Sequence, residues 1–261
     1  MAVYNKDGTR IDSGGSSGGA YVPDESLNWY DKICKAINHR GWRADGAVEN
    51  TIAAYKASKA HGFYYVETDV RYTSDGYAVL YHDDYIDGVY VNNMTYAELL
   101  EEAPTLALFD DFIALCRNIG LHPYIEFKGN HTNAQVKALV DTVFDYQMQR
   151  KCTWFGVYSN VSKVMGLDAS ARLGILANTP STTDINNLLS LKTGTNEVFL
   201  DAWIDRTTSD IIEAAKAAKI PLELYTFGES TSQILSLDPY VTGYTANQLM
   251  AGKVMYEAAI Q

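Results

Sequence analysis

YYVETDV (64–70) and PYIEFK (123–128) are the stretches that decide the fold. Both are rich in β-branched and aromatic residues, which favours extended strands. Yet both also carry charged residues that a buried strand seldom holds. Glu67 and Asp69 are two residues apart, so both side chains leave the same face of an extended strand. Because buried carboxylates are costly unless a cation compensates them, the pattern predicts strands that carry a polar site.

Outward from these stretches, short β-rich runs alternate with helical ones from residue 33 onward. Helical patterns occupy 50–60 and 208–219, and the first stops at Gly62, a common end for a helix. The β-rich runs lie at 33–39, 64–70, 123–128, 153–159, 173–178, 197–203, 221–227 and 240–246. Eight strands with helices between them predict an α/β fold, the (β/α)8 TIM barrel, and a doubly wound open sheet is the alternative.

Two segments lie outside this regular alternation. YAVLYHD (77–83) follows the second strand too closely for a helix to intervene, so we expect a short insertion that forms a hairpin with that strand. DSGGSSGG (12–19) has the composition of a flexible linker and cannot bury a core. Residues 1–25 are therefore predicted to form a flexible Gly/Ser-rich tail, and 26–261 a single TIM-barrel domain. Attachment to a larger assembly through this tail stays open.

Charge and composition argue against several classes of function. The 261 residues carry 21 Lys and Arg against 32 Asp and Glu, and a net charge of −11 argues against nucleic acid as a partner. No run of about 18 apolar residues is present, so no transmembrane segment is predicted. The first residues do not resemble a signal peptide and the three cysteines lack CxxC spacing, which predicts a cytoplasmic location. The tail leaves an extracellular or virion-associated module as the alternative.

Three carboxylates are candidates for a cation site. Glu67 and Asp69 lie on the second predicted strand, and Glu126 lies on the third beside Lys128. Parallel strands of a barrel end at one mouth, so the carboxylates of neighbouring strands converge there. Oxygen ligands suit a hard divalent cation. The alternative is that each acid forms a salt bridge with a nearby Lys or Arg.

Two histidines end β-rich runs near these acids. His39 ends the first strand and is followed at once by Arg40, and His82 ends the run after the second strand. A histidine titrates near neutral pH and can act as a general acid or base, while arginine can bind phosphate with two hydrogen bonds. This combination favours a catalytic site over two unrelated structural histidines.

Three segments resemble the glycerophosphodiester phosphodiesterase family: HRGWRADGAVENT (39–51), VETDVRYTSDGYAVLYHDD (66–84) and YIEFKG (124–129). Their His-Arg-Gly, Glu-Asn-Thr, Glu-x-Asp, Thr-x-Asp-Gly, His-Asp and Glu-x-Lys elements follow the order of that family. The family is related to the phosphatidylinositol phospholipase C-like phosphodiesterases and adopts a TIM barrel. The resemblance implies metal-dependent hydrolysis of glycerophosphodiesters to glycerol 3-phosphate and an alcohol.

The resemblance also implies a metal-ligand set when it is carried over position by position. The cation would be Ca²⁺ or Mg²⁺. Its ligands would be Glu67, Asp69 and Glu126, and Glu49 would add a further contact.

Roles for the remaining polar residues are implied in the same way. His39 and His82 would be the acid–base pair, with either residue as the base. Arg40 would join this catalytic set and, with Lys128, would hold phosphate oxygens. The substrate would be a small-molecule phosphodiester that reacts through a cyclic phosphate.

The second half of the chain departs from the family pattern at 158–160, 225–228 and 245–246, and the insertion over the site looks short. These departures leave the substrate open. A short cover would suit a teichoic-acid-like polyglycerol phosphate, either hydrolysed or bound by a non-catalytic module. The order of the motifs disfavours a related lipid-cleaving barrel enzyme, and a purely structural barrel would need none of these polar residues at its strand ends.

Overall fold

The eight predicted strands close into one parallel barrel. The computed structural model describes residues 35–227 and 240–247, together with two short paired strands at Val3–Tyr4 and Arg10–Ile11. The last barrel strand pairs with the first, and the first with the second, so the eight parallel strands form a closed ring and the doubly wound alternative is wrong. The barrel strands are β1 Lys35–Asn38, β2 Tyr65–Tyr72, β3 His122–Phe127, β4 Thr153–Gly156, β5 Arg172–Ala177, β6 Val198–Trp203, β7 Leu222–Phe227 and β8 Val241–Ala246.

Helices cover the outside of the barrel and connect its strands. They are α1 Ile52–Ala60, α2 Tyr96–Glu102, α3 Phe109–Ile119, α4 Asn133–Asp145, α5 Tyr158–Leu167, α6 Thr182–Leu191 and α7 Ser209–Ala218. The Thr51 side chain caps α1 by accepting a hydrogen bond from the backbone N–H of Ala54, and Thr132 caps α4 with a reciprocal bond from Gln135. These helices pack apolar faces on the strands, which leaves the loops at the strand ends to form a site.

Inside the barrel, apolar side chains separate the polar residues at the amino ends of the strands from those at the carboxyl ends. Ile37, Tyr124, Phe155 and Phe199 form the buried interior cluster. At the amino end of the strands, Arg172 donates to Glu223 at 2.6 Å and to Glu197 at 2.9 Å, which closes that end with ion pairs. The charged residues at the carboxyl ends are therefore the set that faces a cleft.

The predicted insertion after the second strand is present as a small antiparallel extension of the sheet. Ala78–Leu80 pairs antiparallel with the end of β2, which confirms the predicted hairpin. Ala107–Leu108 pairs with this strand in turn, and α2 lies between the two. The insertion returns the chain to the barrel at α3, and it carries His82 to the carboxyl end of the strands.

The fourth barrel strand is shorter than the sequence predicts. The fourth strand ends at Gly156 rather than at residue 159, because Gly156 has a φ of 137° and a Cβ there would lie 3.3 Å from the Phe127 carbonyl oxygen. Apart from the two short strands given above, the predicted tail lies outside the described residues. Within the part of the chain that is described, no helix has the length and apolar character needed to cross a bilayer.

Candidate active site

Three carboxylates converge at the carboxyl ends of β2 and β3. Glu67 and Asp69 point from the same face of β2, and Asp69 lies opposite Glu126 in the parallel register of β2 and β3. One oxygen from each of the three lies within 4.8 Å of the others. Their exposed fractions are 2%, 0% and 8%, so three acids are held close together away from water. The structure thus brings together the carboxylates that the sequence singled out.

Two cations balance part of this charge. Lys128 Nζ lies 2.5 Å from Glu126 Oε1 and 3.2 Å from Asp69 Oδ1, and Arg40 Nε lies 3.4 Å from Asp69 Oδ2. Glu67 Oε2 accepts a hydrogen bond from the Arg40 backbone N–H at 3.0 Å. Glu67 Oε1 is buried and has no hydrogen-bond partner among the described residues. An unpartnered carboxylate oxygen among an all-oxygen donor set fits a hard divalent cation.

Burial and mutual repulsion set the pKa values of the three acids. Burial, then Asp69 and Glu126, raise the pKa of Glu67 well above its usual value. Burial and Asp69 raise the pKa of Glu126 to about 7. Burial alone would raise the pKa of Asp69, but Lys128 and Arg40 outweigh burial and hold it below its usual value. The group therefore retains protons near neutral pH until another cation replaces them.

We expect divalent-cation binding to release protons and to tighten as pH rises. With the pKa of Glu126 near 7, this acid is largely protonated at pH 6 and must lose its proton before it can ligate a metal. The apparent metal affinity should therefore increase from pH 5.5 to pH 8. Calorimetric titrations in buffers of different ionisation enthalpy measure the protons released. An affinity that is constant across this range would contradict the assignment.

His39 is held in one tautomer by Asn247. Arg43 Nη2 donates to Asn247 Oδ1 at 2.8 Å, and because arginine only donates, the amide atom facing it must be the oxygen. The same oxygen lies 2.6 Å from His39 Nδ1, so Nδ1 carries the proton. His39 Nε2 then accepts from Arg40 Nε at 3.1 Å. Burial, then Arg40, lower the pKa of His39 to about 4, which leaves a neutral imidazole with its lone pair on Nε2.

The His-Arg-Gly turn aims the Arg40 backbone at the carboxylates. Arg40 and Gly41 both have positive φ, 56° and 83°, a conformation that glycine adopts without a steric penalty. A Cβ on Gly41 would lie 2.7 Å from the Ala54 Cβ and 3.0 Å from the Ala54 carbonyl carbon, so α1 packs directly on this glycine. The close approach explains why the motif needs glycine here, and it places the Arg40 N–H on Glu67.

Glu49 lies beside the three carboxylates but outside their group. Its Oε1 accepts from Arg40 Nη1 at 2.9 Å, and its Oε2 accepts from Arg43 Nη1 at 2.6 Å. Both oxygens are thus occupied by guanidinium groups, and Glu49 orients the two arginines that contact His39 and Asn247. Its role as a metal contact stays a prediction.

The buried Arg71 fixes the backbone around His82 and so places this histidine at the site. Arg71 on β2 donates from Nε to the Tyr81 carbonyl at 3.1 Å and from Nη2 to the His82 carbonyl at 2.7 Å. Nη2 also lies 2.5 Å from Asp84 Oδ1. His82 Nδ1 hydrogen-bonds with Asp83 Oδ1 at 2.6 Å, so the ring is fixed from one side and its Nε2 remains for chemistry. Arg71 thereby ties the insertion to the barrel at the histidine.

Arg71→Met is expected to lower kcat by about 10- to 100-fold, because misplacing a catalytic group by about 1 Å has an effect of that order. The variant removes both carbonyl contacts that fix the position of His82. Asp84→Asn is the matched control, since it keeps those contacts and should retain most of the activity. Steady-state rates on folded proteins, verified by thermal unfolding, decide the result. An unchanged kcat in Arg71→Met would refute this role.

Several residues of the site carry no signal that sequence reasoning used. Asn50 accepts hydrogen bonds through Oδ1 from Tyr55 and Thr68 and donates to Asp69 Oδ2 at 2.7 Å, so it positions a carboxylate. Its place in the Glu-Asn-Thr element could have identified it. Arg71 offers no such clue, because a charged residue in a strand is as often at a surface.

Six of the eight predicted site residues line one cleft of about 330 Å³ at the carboxyl ends of the strands, and Asp69 and Glu49 are not part of its lining. Three of the departures from the family pattern, Tyr225, Thr226 and Thr245, also line it. Asn160 instead donates from α5 to the Gly129 carbonyl at 2.7 Å, outside the cleft lining. The lining residues are His39, Arg40, Glu67, His82, Glu126, Lys128, Phe155, Leu176, Asn178, Asp201, Tyr225, Thr226 and Thr245.

Two solved structures of phosphodiesterases share this fold. A glycerophosphodiester phosphodiesterase from Parabacteroides distasonis superposes with a TM-score of 0.74 at 18% identity, over 87% of this chain and 98% of the other. A phosphodiesterase from Oleispira antarctica, in complex with the product sn-glycerol-3-phosphate, gives a TM-score of 0.70 at 19% identity, over 89% of this chain and 99% of the other. At these identities the likeness establishes the shared barrel fold.

Sequence relatives match over shorter stretches. Human glycerophosphodiester phosphodiesterase 1 is 33% identical over 127 residues, which is 42% of this chain and 38% of the human protein. Probable glycerophosphodiester phosphodiesterase 2 of Mycobacterium tuberculosis is 44% identical over 48 residues, 18% of each chain. The chain thus matches well under half the length of these relatives.

A model of the glycerophosphoryl diester phosphodiesterase family, in contrast, matches residues 39–243, from the end of the first barrel strand into the last. The chain therefore belongs to the glycerophosphoryl diester phosphodiesterase family.

Proposed function

We propose that the protein hydrolyses glycerophosphodiesters to glycerol 3-phosphate and an alcohol with a divalent cation. The observation that carries this proposal is a group of three close carboxylates at a cleft that two histidines and two basic residues also line. Family membership and the activity for which the human relative is named support the same reaction. The substrate is a small-molecule phosphodiester.

The proposed cation is Ca²⁺ or Mg²⁺, held by Glu67, Asp69 and Glu126. When bound, it would supply a positive charge that neutralises the phosphodiester and the charge developing on its non-bridging oxygens. Lys128 and Arg40 already face these carboxylates, so both can turn to phosphate oxygens once another cation balances the acids. This explains how a chain of net charge −11 can receive an anionic substrate.

In the proposed mechanism His39 is the base and His82 the acid of the first step. His39 Nε2 takes the proton of the glycerol 2-hydroxyl, whose oxygen attacks phosphorus. The bond from phosphorus to the alcohol oxygen breaks, and His82 gives its proton to that oxygen. Water then opens the cyclic phosphate with the two roles reversed. The neutral Nδ1–H tautomer of His39 favours this assignment, as does the greater exposure of the His82 side chain, which suits a contact with the product that leaves first.

The proposed reaction is tested by measuring release of glycerol 3-phosphate from glycerophosphocholine, glycerophosphoethanolamine and glycerophosphoglycerol. Release from any of the three supports the reaction class, and the relative rates rank the alcohols. A folded, metal-loaded protein that releases nothing from all three would overturn the proposal.

A polymeric glycerol phosphate is the second candidate substrate. Among the described residues that line the cleft, only His82 comes from the insertion, so the insertion does not roof the site. An unroofed cleft admits a long chain. Incubation with a polyglycerol phosphate distinguishes the outcomes. Shortening of the polymer supports a polymer hydrolase, and binding without shortening supports a binding module. If the polymer is neither shortened nor bound, the small diesters are the substrates.

A further inference from the structure

A buried carboxyl faces the site from the side opposite the metal ligands. Asp201 lies on β6 with its side chain directed into the barrel, on the same face of the strand as the core residue Phe199. It lines the cleft, yet only 4% of the residue is exposed. In an eight-stranded barrel β6 is opposite β2, so Asp201 faces Glu67 and Asp69 across the mouth.

The carboxyl of Asp201 has no partner among the residues that the structure describes. Within residues 35–227 and 240–247 it makes no hydrogen bond and no ion pair. The charges that act on it are two acids, Glu223 and Glu126, and one base, Arg172, which already binds Glu223 at 2.6 Å. Because Asp201 lines the cleft, a ligand bound there can complete the hydrogen bonds of its carboxyl.

The surroundings of Asp201 combine apolar surface with one carboxyl. Phe155 and Leu176 line the same part of the cleft, and Leu176 lies opposite Asp201 in the register of β5 and β6. At the rim, Tyr225 donates its hydroxyl hydrogen to Asn178 Oδ1 at 2.6 Å, so these two residues partner each other. Methylene groups packed on Phe155 and Leu176 would bring a hydroxyl group to Asp201.

The two arms of a bound diester differ in where they can lie. The leaving alcohol must reach His82, whose side chain is 30% exposed and belongs to the insertion. The glyceryl arm carries the 2-hydroxyl that His39 must reach, and the His39 side chain is 16% exposed. The glyceryl arm therefore takes the deeper path, where Asp201 lies.

We propose that Asp201 binds the terminal hydroxyl of the glyceryl group and selects substrates that carry it. The inference rests on the proposed function and names the part of the substrate that this residue binds. A hydroxyl suits the site because it donates to an ionised carboxyl and accepts from a protonated one. Burial, then Glu223 and Glu126, raise the pKa of Asp201 well above its usual value, which favours the form that donates to a hydroxyl rather than one that binds an ammonium.

The test compares glycerophosphocholine with 2-hydroxypropyl phosphocholine, which keeps the attacking 2-hydroxyl but lacks the terminal one. The wild type should prefer glycerophosphocholine by at least about 10-fold in kcat/KM, because a site built to bind a hydroxyl rejects the analogue without it. Asp201→Ala should lose this preference and turn over the analogue within about 2-fold of the wild type. Asp201→Asn, which still donates and accepts, should keep most of the preference.

The thermal stability of an Asp201 variant shows whether this residue is kept for substrate binding or for the fold. Asp201→Leu removes an unpartnered buried carboxyl, so its thermal midpoint should equal or exceed that of the wild type, whereas a residue kept for the fold would lose stability. An Asp201→Asn variant that loses the preference as fully as Asp201→Ala would overturn the inference. A wild type that releases glycerol 3-phosphate from none of the three glycerophosphodiesters refutes the proposed function, and the inference with it. Cleavage of both at equal rates refutes the inference alone.

Discussion

Replacing His39 or His82 by alanine is expected to lower kcat by at least about 100-fold, since general acid–base groups contribute about 10²–10⁴-fold each. His39 offers a neutral Nε2 because Asn247 holds its Nδ1 proton, and His82 is fixed from its other side by Asp83 and through the backbone by Arg71. Neither imidazole supports the core, so both variants should fold. Steady-state rates on glycerophosphocholine with saturating metal measure the loss.

His61→Ala is the matched control for these two variants. His61 stacks on Trp42 at 4.0 Å and hydrogen-bonds with Asp45 at 2.7 Å, away from the cleft. It should keep a kcat close to that of the wild type. Near-wild-type turnover by His39→Ala or His82→Ala would refute the acid–base assignment. An equal fall in the kcat of His61→Ala would point to a general loss of folded protein.

Glu67→Gln is expected to have opposite effects on metal affinity and on the stability of the metal-free protein. Burial, Asp69 and Glu126 oppose the ionisation of Glu67, which costs the metal-free wild type stability as pH rises, and glutamine removes that cost. The metal-free thermal midpoint of the variant should therefore exceed that of the wild type increasingly as pH rises. The amide oxygen can still accept from the Arg40 N–H. The loss of a charged ligand should weaken Ca²⁺ affinity by at least about 10-fold.

Glu49→Gln separates a local role from a general charge effect. Glu49 is also an acid near the site, but both of its oxygens bind arginines, so its variant should keep the metal affinity of the wild type. Calcium titrations followed by thermal shift compare the two proteins. A Glu67→Gln variant that binds Ca²⁺ as tightly as the wild type would refute the carboxylate site, and a weakened Glu49→Gln would support the further metal contact.

Local sequence patterns were enough to predict the barrel and the carboxylate group. Charged residues two apart on short β-rich runs place Glu67 and Asp69 on one strand face, and the closure of a parallel barrel brings Glu126 beside them. The expected salt bridges are also present, through Lys128 and Arg40. The cation site stays a prediction, favoured by the buried Glu67 Oε1, which has no hydrogen-bond partner among the described residues.

The supporting residues were missed because their partners are distant in sequence. Asn247 lies 208 residues from His39, and only closure of the barrel between β8 and β1 brings them together. In the sequence, Asp201 is one acidic residue in a predicted strand. Its burial and its lack of a partner among the described residues are visible only in the structure. The end of β4 was predicted too late in the chain for a similar reason, because the break at Gly156 depends on its packing against Phe127.

The most direct test of the account is metal-dependent release of glycerol 3-phosphate from glycerophosphocholine. Protein stripped with EDTA would be assayed alone and after addition of Ca²⁺ or Mg²⁺, with Glu67→Gln alongside. We predict no release from the stripped protein, recovery by at least one cation, and recovery in the variant only at higher cation concentration. Full release by the stripped wild type would contradict the central claim that the three carboxylates hold the cation that the reaction needs.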